Sequence, residues 1–583
     1  MYSHFKNVQI LISLMKQFEI KDVVLSPGGS DIPLIHSLES DDFFTCYSVV
    51  DERSAAYFAM GIAQEKKQIV ACVCTSGTAV CNYLPGITEA YYQEVPVLAI
   101  TADKNPNFQD QLELQKIKQS NIFDGVVKKA VELPMVHTEE DEWLCNRLAN
   151  EAMLELTHHG CGPVHINMPI LGPTQIFNCE QLPSQRKMTF VQKPDWAEIA
   201  KYLTGKKIMV VVGQNLVFSE KDVQNMNAFF AGFNCMFAVE NLSNLKCDGT
   251  VATYPVTEMH KVGSINHLAP DLVISIGNNL AAYLLKPMLR GCYKTMENWL
   301  ISEQGVVRDA YKCLTNIFEM KPSEFFENIS LYCPQSASHA YYELWNNERK
   351  KIELPELEYS NFYVAKKLSE VMPQNAILHT AILNSTRTMQ FFDLADGITN
   401  YSNVGALGID GCFSTFAGQA AAAKDKLCYL LIGDLSFFYD MNAAGLRSIG
   451  SNVRIILLNN GGGSEFQLLL RKQVPGIDTY ICAEHDKVAT GWIVSLGYDY
   501  YTASNKEEVD EAIEKMGRPS ERPIFLEVFT DMVEDGERTN VMYDKYRNQS
   551  SDTAWTLKNK IGKWIPQKQK DKAKKIIQIL KEK

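Results

Sequence analysis

Two apolar runs of strand length, at 427–432 and 453–458, each open onto a cluster of glycine and polar residues. The first runs into Gly433-Asp434-Leu435-Ser436 and the second into Asn459-Asn460-Gly461-Gly462-Gly463. A run that is apolar at every position reads as a strand buried on both faces, the condition of a parallel sheet held between helix layers. In such sheets ligands bind beyond the carboxyl ends of the strands, where these polar clusters fall. Glycines there let backbone N–H groups approach a phosphate. Asp434, with an amide oxygen from Asn460, forms a hard-oxygen donor set suited to Mg²⁺ shared with a diphosphate.

Short alternating patterns extend this reading to the whole chain. Residues 22–26, 69–75, 95–101 and 163–168 read as strands separated by helical patterns, as do 207–213 and 272–277 further on. Polar, proline-containing connections at 182–196 and 350–360 divide the chain into segments. The expectation is α/β: three doubly wound parallel-sheet domains at 1–185, 197–345 and 356–550, then a lysine-rich tail at 551–583. No Gly-x-Gly-x-x-Gly fingerprint follows the strands of the middle segment. The net charge of −12 argues against a nucleic-acid partner. No uncharged apolar stretch of about 18 residues is present, which argues against a membrane span. The fifteen cysteines are scattered without zinc-ligand spacing, so they read as buried free thiols, and a cytoplasmic location is expected.

The Gly433-Asp434 and Asn459-Asn460 pair resembles the thiamine diphosphate (ThDP) motif, with Leu435 in place of its usual third residue, glycine. A second landmark is Asp51-Glu52-Arg53-Ser54-Ala55-Ala56, where Val49-Val50 leads into a helical pattern. A carboxylate at such a junction is partly desolvated, which suits proton exchange with a ring nitrogen. The plainer reading is that Asp51 or Glu52 only caps the helix. Further matches follow in order: Cys74-Thr75-Ser76-Gly77-Thr78-Ala79, His165-Ile166-Asn167-Met168-Pro169, Ser402-Asn403 and Gly408-Ile409-Asp410-Gly411. Together they resemble the 2-succinyl-5-enolpyruvyl-6-hydroxy-3-cyclohexene-1-carboxylate synthase family of ThDP enzymes, across the first and third segments. That resemblance implies Glu52 as the partner of N1′ of the cofactor's aminopyrimidine and Ile409 as the wedge beneath the cofactor. It implies Asp434, Asn460 and the Gly462 carbonyl as ligands of Mg²⁺, or of Mn²⁺ in its place. Thr75, Gly77, Asn82, Gly408, Gly433, Leu435 and Ser436 would border the cofactor. The family builds this site between subunits, so a homodimer or homotetramer is expected.

The substrate positions depart from the family. Its donor and acceptor are anionic, and it holds their carboxylates with arginines, whose planar fork suits a carboxylate. Here Ser30, Met389 and Val404 stand at three of those positions, and Lys104 replaces a further arginine. Gln115 and Ser385 match substrate contacts, Leu114 does not, and Asp31 adds a negative charge. Arg387, or Lys286 with Arg290 in the middle segment, could restore positive charge. The expectation is therefore ThDP- and Mg²⁺-dependent decarboxylation of a 2-oxo acid with transfer of the acyl anion to an acceptor, on altered substrates. The alternatives are the family's own reaction of 2-oxoglutarate with isochorismate, a simple 2-oxo acid decarboxylase, and a ThDP-binding scaffold or sensor without turnover.

Overall fold

Alternation along single strands shows why the apolar runs fold as parallel strands. Val23, Leu25, Ala71, Val73, Leu98 and Ile100 point into one core, while Val24, Val70, Cys72, Cys74, Val97 and Ala99 point into another. Both faces are thus packed, and each buried Val or Leu side chain stabilises the fold by about 1.5–3 kcal/mol. In the computed structural model residues 1–170, 176–214, 216–261, 263–470 and 473–547 are described, so the lysine-rich tail (551–583) lies outside the described residues.

The chain divides into two compact units, Met1–Pro194 with Glu297–Lys321, and Asp195–Met296 with the residues from Pro322 onward. In the first unit a six-stranded parallel sheet runs in the spatial order Thr45–Ser48, Asp22–Ser26, Val70–Cys74, Val97–Asp103, Val164–Pro169, Lys129–Glu132. Glu297–Ile301 and Leu314–Phe318 pair in parallel, and Thr189–Phe190 joins the latter. In the second unit another six-stranded parallel sheet is ordered Thr399–Tyr401, Ile377–Thr380, Cys428–Gly433, Val453–Asn459, Ile524–Phe529, Asp499–Ala503. The same unit carries Thr250–Ala252, Cys235–Val239, Ile208–Val212 and Leu272–Ile276 as neighbouring parallel strands. The protein is α/β, with several helix-flanked parallel sheets, and the expected strands fall within two residues of those observed.

Both six-stranded sheets place a topological switch point at the motifs. Strand order reverses between Asp22–Ser26 and Val70–Cys74, and again between Ile377–Thr380 and Cys428–Gly433. The loops leaving these strands carry Ser30, Thr75 and Gly77 in one unit and Leu383 to Arg387 and Asp434 in the other. This is where a crevice opens in doubly wound sheets.

All fifteen cysteines are free, but they are not uniformly buried: Cys81 and Cys161 are exposed. Cys81 occupies the helix Thr78–Tyr92, whose packed face is built by Ala79, Val80, Tyr83, Ile87 and Ala90 instead. No described helix is long and apolar enough to cross a membrane.

Candidate active site

The helix Glu52–Lys66 begins where its cap allows. Asp51 takes the capping role, its Oδ1 accepting the Ser54 N–H at 3.1 Å. Glu52, the first helical residue, is half-buried. Beside it the loop after Asp22–Ser26 turns on Asp31, whose Oδ1 accepts the Gly28 N–H at 2.8 Å. Asp31 is fully buried, and its Oδ2 has no hydrogen-bond partner. Burial first, and then the nearby Glu52 charge, outweigh the backbone hydrogen bonds and push its carboxyl up to about 7.

The other first-unit residues gather at the same sheet edge. Ser30 N–H donates to Thr75 Oγ1 at 3.1 Å, and Ser30 Oγ lies 3.1 Å from Ser76 Oγ. Gln115 donates to the Ser76 carbonyl at 3.0 Å. Gly77 has φ +85°, and a Cβ there would stand 2.7 Å from Gln115 Cγ, so the loop needs glycine. Asn82 is exposed on the following helix, and Lys104 donates to the Leu114 carbonyl.

In the second unit Asp434 organises the opposite switch point. Its Oδ2 accepts the N–H groups of Asn460 (3.1 Å), Gly461 (2.8 Å) and Gly462 (3.0 Å), and its Oδ1 accepts that of Leu435 at 2.6 Å. Ser436 Oγ donates to the Ile409 carbonyl at 2.8 Å, joining that segment to the Gly-Asp turn that starts at Gly433. Asn460 donates its Nδ2 to Asp535 at 3.3 Å, which leaves Oδ1 buried without a partner. A buried acceptor with no donor, next to a carboxylate, fits a hard cation. Among the described residues, the Gly462 carbonyl accepts the Ser464 N–H at 3.1 Å, which leaves a second lone pair for a ligand. His485 was not visible in the sequence pattern: its Nε2 is buried, has no hydrogen-bond partner and lies 3.5 Å from Asp434 Oδ2.

The substrate positions separate into two groups. A cavity of about 320 Å³ is lined by Tyr283, Lys286, Arg290, Leu383, Arg387, Val404 and Leu407, among others. Burial and the neighbouring Arg290 lower the Lys286 pKa, and Glu240 partly offsets them. Burial opposes the charge on Arg387, but Glu465, hydrogen-bonded to it, overrides that and holds it protonated. The Arg387 guanidinium also stands 4.6 Å from the centre of the Tyr283 ring. Leu383 takes φ +64° and ψ −122°, a strained conformation for leucine that sets the start of the helix Asn384–Met389. Met389 and Ser385 are buried, and Met389 lies outside the cavity lining. Val404 packs with Leu242 and Ala281. A second, more open cavity of about 440 Å³ is lined by Ser402, Asn403, Gly408, Asp410 and Gly411 with neighbouring residues.

Residues 5–122 match the family described as thiamine pyrophosphate enzyme, N-terminal TPP binding domain. A 2-succinyl-5-enolpyruvyl-6-hydroxy-3-cyclohexene-1-carboxylate synthase from Phocaeicola vulgatus is 39% identical, over 94% of this chain and 100% of its own length. The chain belongs to that synthase family. A Bacteroides fragilis synthase of the same name is 38% identical over the same shares. One from Desulfotalea psychrophila is 32% identical over 88% of this chain and 96% of its own. The protein is a ThDP-dependent enzyme that decarboxylates a 2-oxo acid and transfers the product to an acceptor, with a divalent metal accompanying the cofactor. For a synthase of this family the oxygen donors of Asp434, Asn460 and Gly462 are a fitting metal set.

Proposed function

We propose that the chain joins a decarboxylated 2-oxo dicarboxylate to an anionic ring acceptor, the reaction for which its relatives are named, with 2-oxoglutarate as donor and isochorismate as acceptor. The observation carrying this reading is the basic cavity: Lys286, Arg290 and Arg387 supply charge that Ser30, Met389 and Val404 do not. Bound ThDP supplies the electron sink for the pair released when CO₂ departs. Glu52 would be the carboxyl that holds a proton for N1′ of the pyrimidine. Asp434, Asn460 and the Gly462 carbonyl would hold the Mg²⁺ that accompanies the cofactor, and Ile409 would pack against the cofactor. Lys286 and Arg290 orient the substrate carboxylates, while Leu383 and Leu407 keep that side of the cavity dry.

Changed substrate choice remains a second reading, favoured by one observation. Arg387 already has Glu465 as its counter-ion, so its charge is partly neutralised before any ligand arrives. Removing one partner of a buried charge pair costs about 2–5 kcal/mol, which makes displacement of Glu465 expensive.

A second copy of the chain is part of the proposal, with Glu52 of one subunit facing the diphosphate segment of another. Support comes from the exposed apolar side chains near the start of the helix that Glu52 opens: Val50, Tyr57, Phe58 and, on the helix packed against it, Leu84. The deciding experiment measures CO₂ release with ThDP and Mg²⁺ over a panel of 2-oxo acids, with and without isochorismate. Turnover of 2-oxoglutarate with consumption of isochorismate is expected, and Glu52→Gln should abolish it while cofactor binding persists. Preference for another 2-oxo acid, with no effect of isochorismate, would favour the second reading.

A further inference from the structure

Outside the cofactor and substrate residues, one cluster brings together side chains that the reaction does not use. His158 and His159 leave the helix Glu139–Glu155 and meet Glu319, just past the strand Leu314–Phe318. His158 Nε2 lies 2.9 Å from Glu319 Oε2, and His159 Nε2 lies 2.6 Å from Glu319 Oε1. The ligand atoms all fall within 4.8 Å of one another. We propose that His158, His159 and Glu319 form a site for a borderline transition-metal dication, with zinc the metal their chemistry fits.

The donor set is two imidazole nitrogens and a carboxylate, the mixture that zinc takes when three protein ligands leave one position for water. Tetrahedral bonds of about 2.1 Å set ligand atoms roughly 3.3 Å apart, so only a small movement is needed to admit the ion. Oxygen-only sites such as Asp434 with Asn460 suit Mg²⁺; nitrogen ligands do not.

Five further features shape this cluster. Glu155 Oε1 lies 3.0 Å from His158 Nδ1, the carboxylate–histidine support that fixes a ligand's ring and aims its other nitrogen. The His158 ring stacks on Phe190 at 3.9 Å with the planes 13° apart. Lys128 ties the turn by donating to the carbonyls of His158 and Gly160, the latter at 2.6 Å. Gly305 makes room for the acid: a Cβ there would stand 2.8 Å from Glu319 Oε2. His159 itself is held at φ +52°, unusual for a residue other than glycine, and this turns its ring onto the same carboxylate as its neighbour.

An ion bound here clips together two stretches far apart in sequence within the first unit. Because the unfolded chain lacks such a site, zinc should stabilise the fold. The test uses full-length protein stripped with a chelator and then given saturating Mg²⁺, so that oxygen-donor positions are filled. Zinc is titrated in competition with a chromophoric chelator, and thermal unfolding is followed in parallel. One zinc per chain and a raised Tm are expected for the wild type. Glu155→Gln, which keeps all three ligands, should weaken binding about 10–100-fold. His159→Ala and Glu319→Gln should remove both the binding and the Tm shift; both avoid the ring that packs on Phe190. Cobalt as a probe should give the visible absorption of a tetrahedral nitrogen–oxygen site. Absence of zinc binding, wild-type affinity in His159→Ala and Glu319→Gln, or a thiolate-to-cobalt band would overturn the assignment. Each of those results would leave the cluster as an ion-pair network.

Discussion

At the residue scale, Asp31 illustrates how a single position can be read in sequence for its charge but not for its state. The sequence shows an acid where the family holds cationic neighbours for an anionic substrate. The structure adds that this acid is fully buried, with one oxygen unpartnered, beside Glu52. Its carboxyl is pushed up to about 7 in the folded protein, against an ordinary aspartate value near 4 when unfolded. Between those values the native state binds the proton that the unfolded state has lost. The contribution of Asp31 is therefore fully present below about pH 4 and is lost as pH rises through 7. Asp31→Asn keeps an oxygen for the Gly28 N–H and removes the titration. The variant should be more stable than the wild type at pH 8, by about 1 kcal/mol or more, with the advantage shrinking toward pH 4. Urea unfolding of cofactor-free protein at pH 5 and pH 8 checks this; an equal difference at both pH values would rule out the titration of Asp31.

At the scale of elements, the strands were legible because burial on both faces forces uninterrupted apolar runs, and those of 428–433 and 453–459 ended where their polar clusters began. The helix start at Asp51 and Glu52 was legible as a choice between capping and chemistry, and the observed cap uses Asp51 alone. The basic cavity was only half legible. Lys286 and Arg290 share a short helix without a motif, and nothing in a leucine at 383 announces φ +64°. His485 and Glu465 came within reach of Asp434 and Arg387 only through the path of the chain after Gly463. That path depends on the glycine loop. A Cβ at Gly462 would stand 2.8 Å from the Cys482 carbonyl and 2.9 Å from Met532 Sδ. Gly462→Ala should therefore shift the loop whose N–H groups hold Asp434 and weaken Mg²⁺-dependent ThDP binding at least tenfold, by about 1.4 kcal/mol or more. Fluorescence titration with ThDP at fixed Mg²⁺ measures this. Unchanged affinity would mean that the loop yields without moving Asp434 and Asn460.

At the scale of the whole molecule, the residues proposed for the two halves of the chemistry belong to different compact units, Glu52 to one and Asp434 to the other. Exposed Tyr57 and Phe58 lie on the same helix as Glu52, and exposed Leu84 on its neighbour Thr78–Tyr92, against which it packs. A contiguous apolar face has a reason to be exposed only if another surface covers it. Converting Tyr57 and Phe58 together to glutamate would place two charges on that face while leaving the buried alanines beneath them, Ala55, Ala56 and Ala59, unchanged. The expected result is a monomer by light scattering that keeps its far-UV circular dichroism but has lost ThDP binding. Leu331, also exposed but in the other unit, serves as a control, and Leu331→Glu should keep both assembly and cofactor. If the Tyr57/Phe58 double variant still assembles and binds ThDP, the face around Glu52 is not the contact, and the proposed assembly through it fails. If it becomes monomeric yet still binds ThDP with full affinity, assembly is not required for cofactor binding. Only joint loss of assembly and binding, with the control intact, supports a site completed by a second copy.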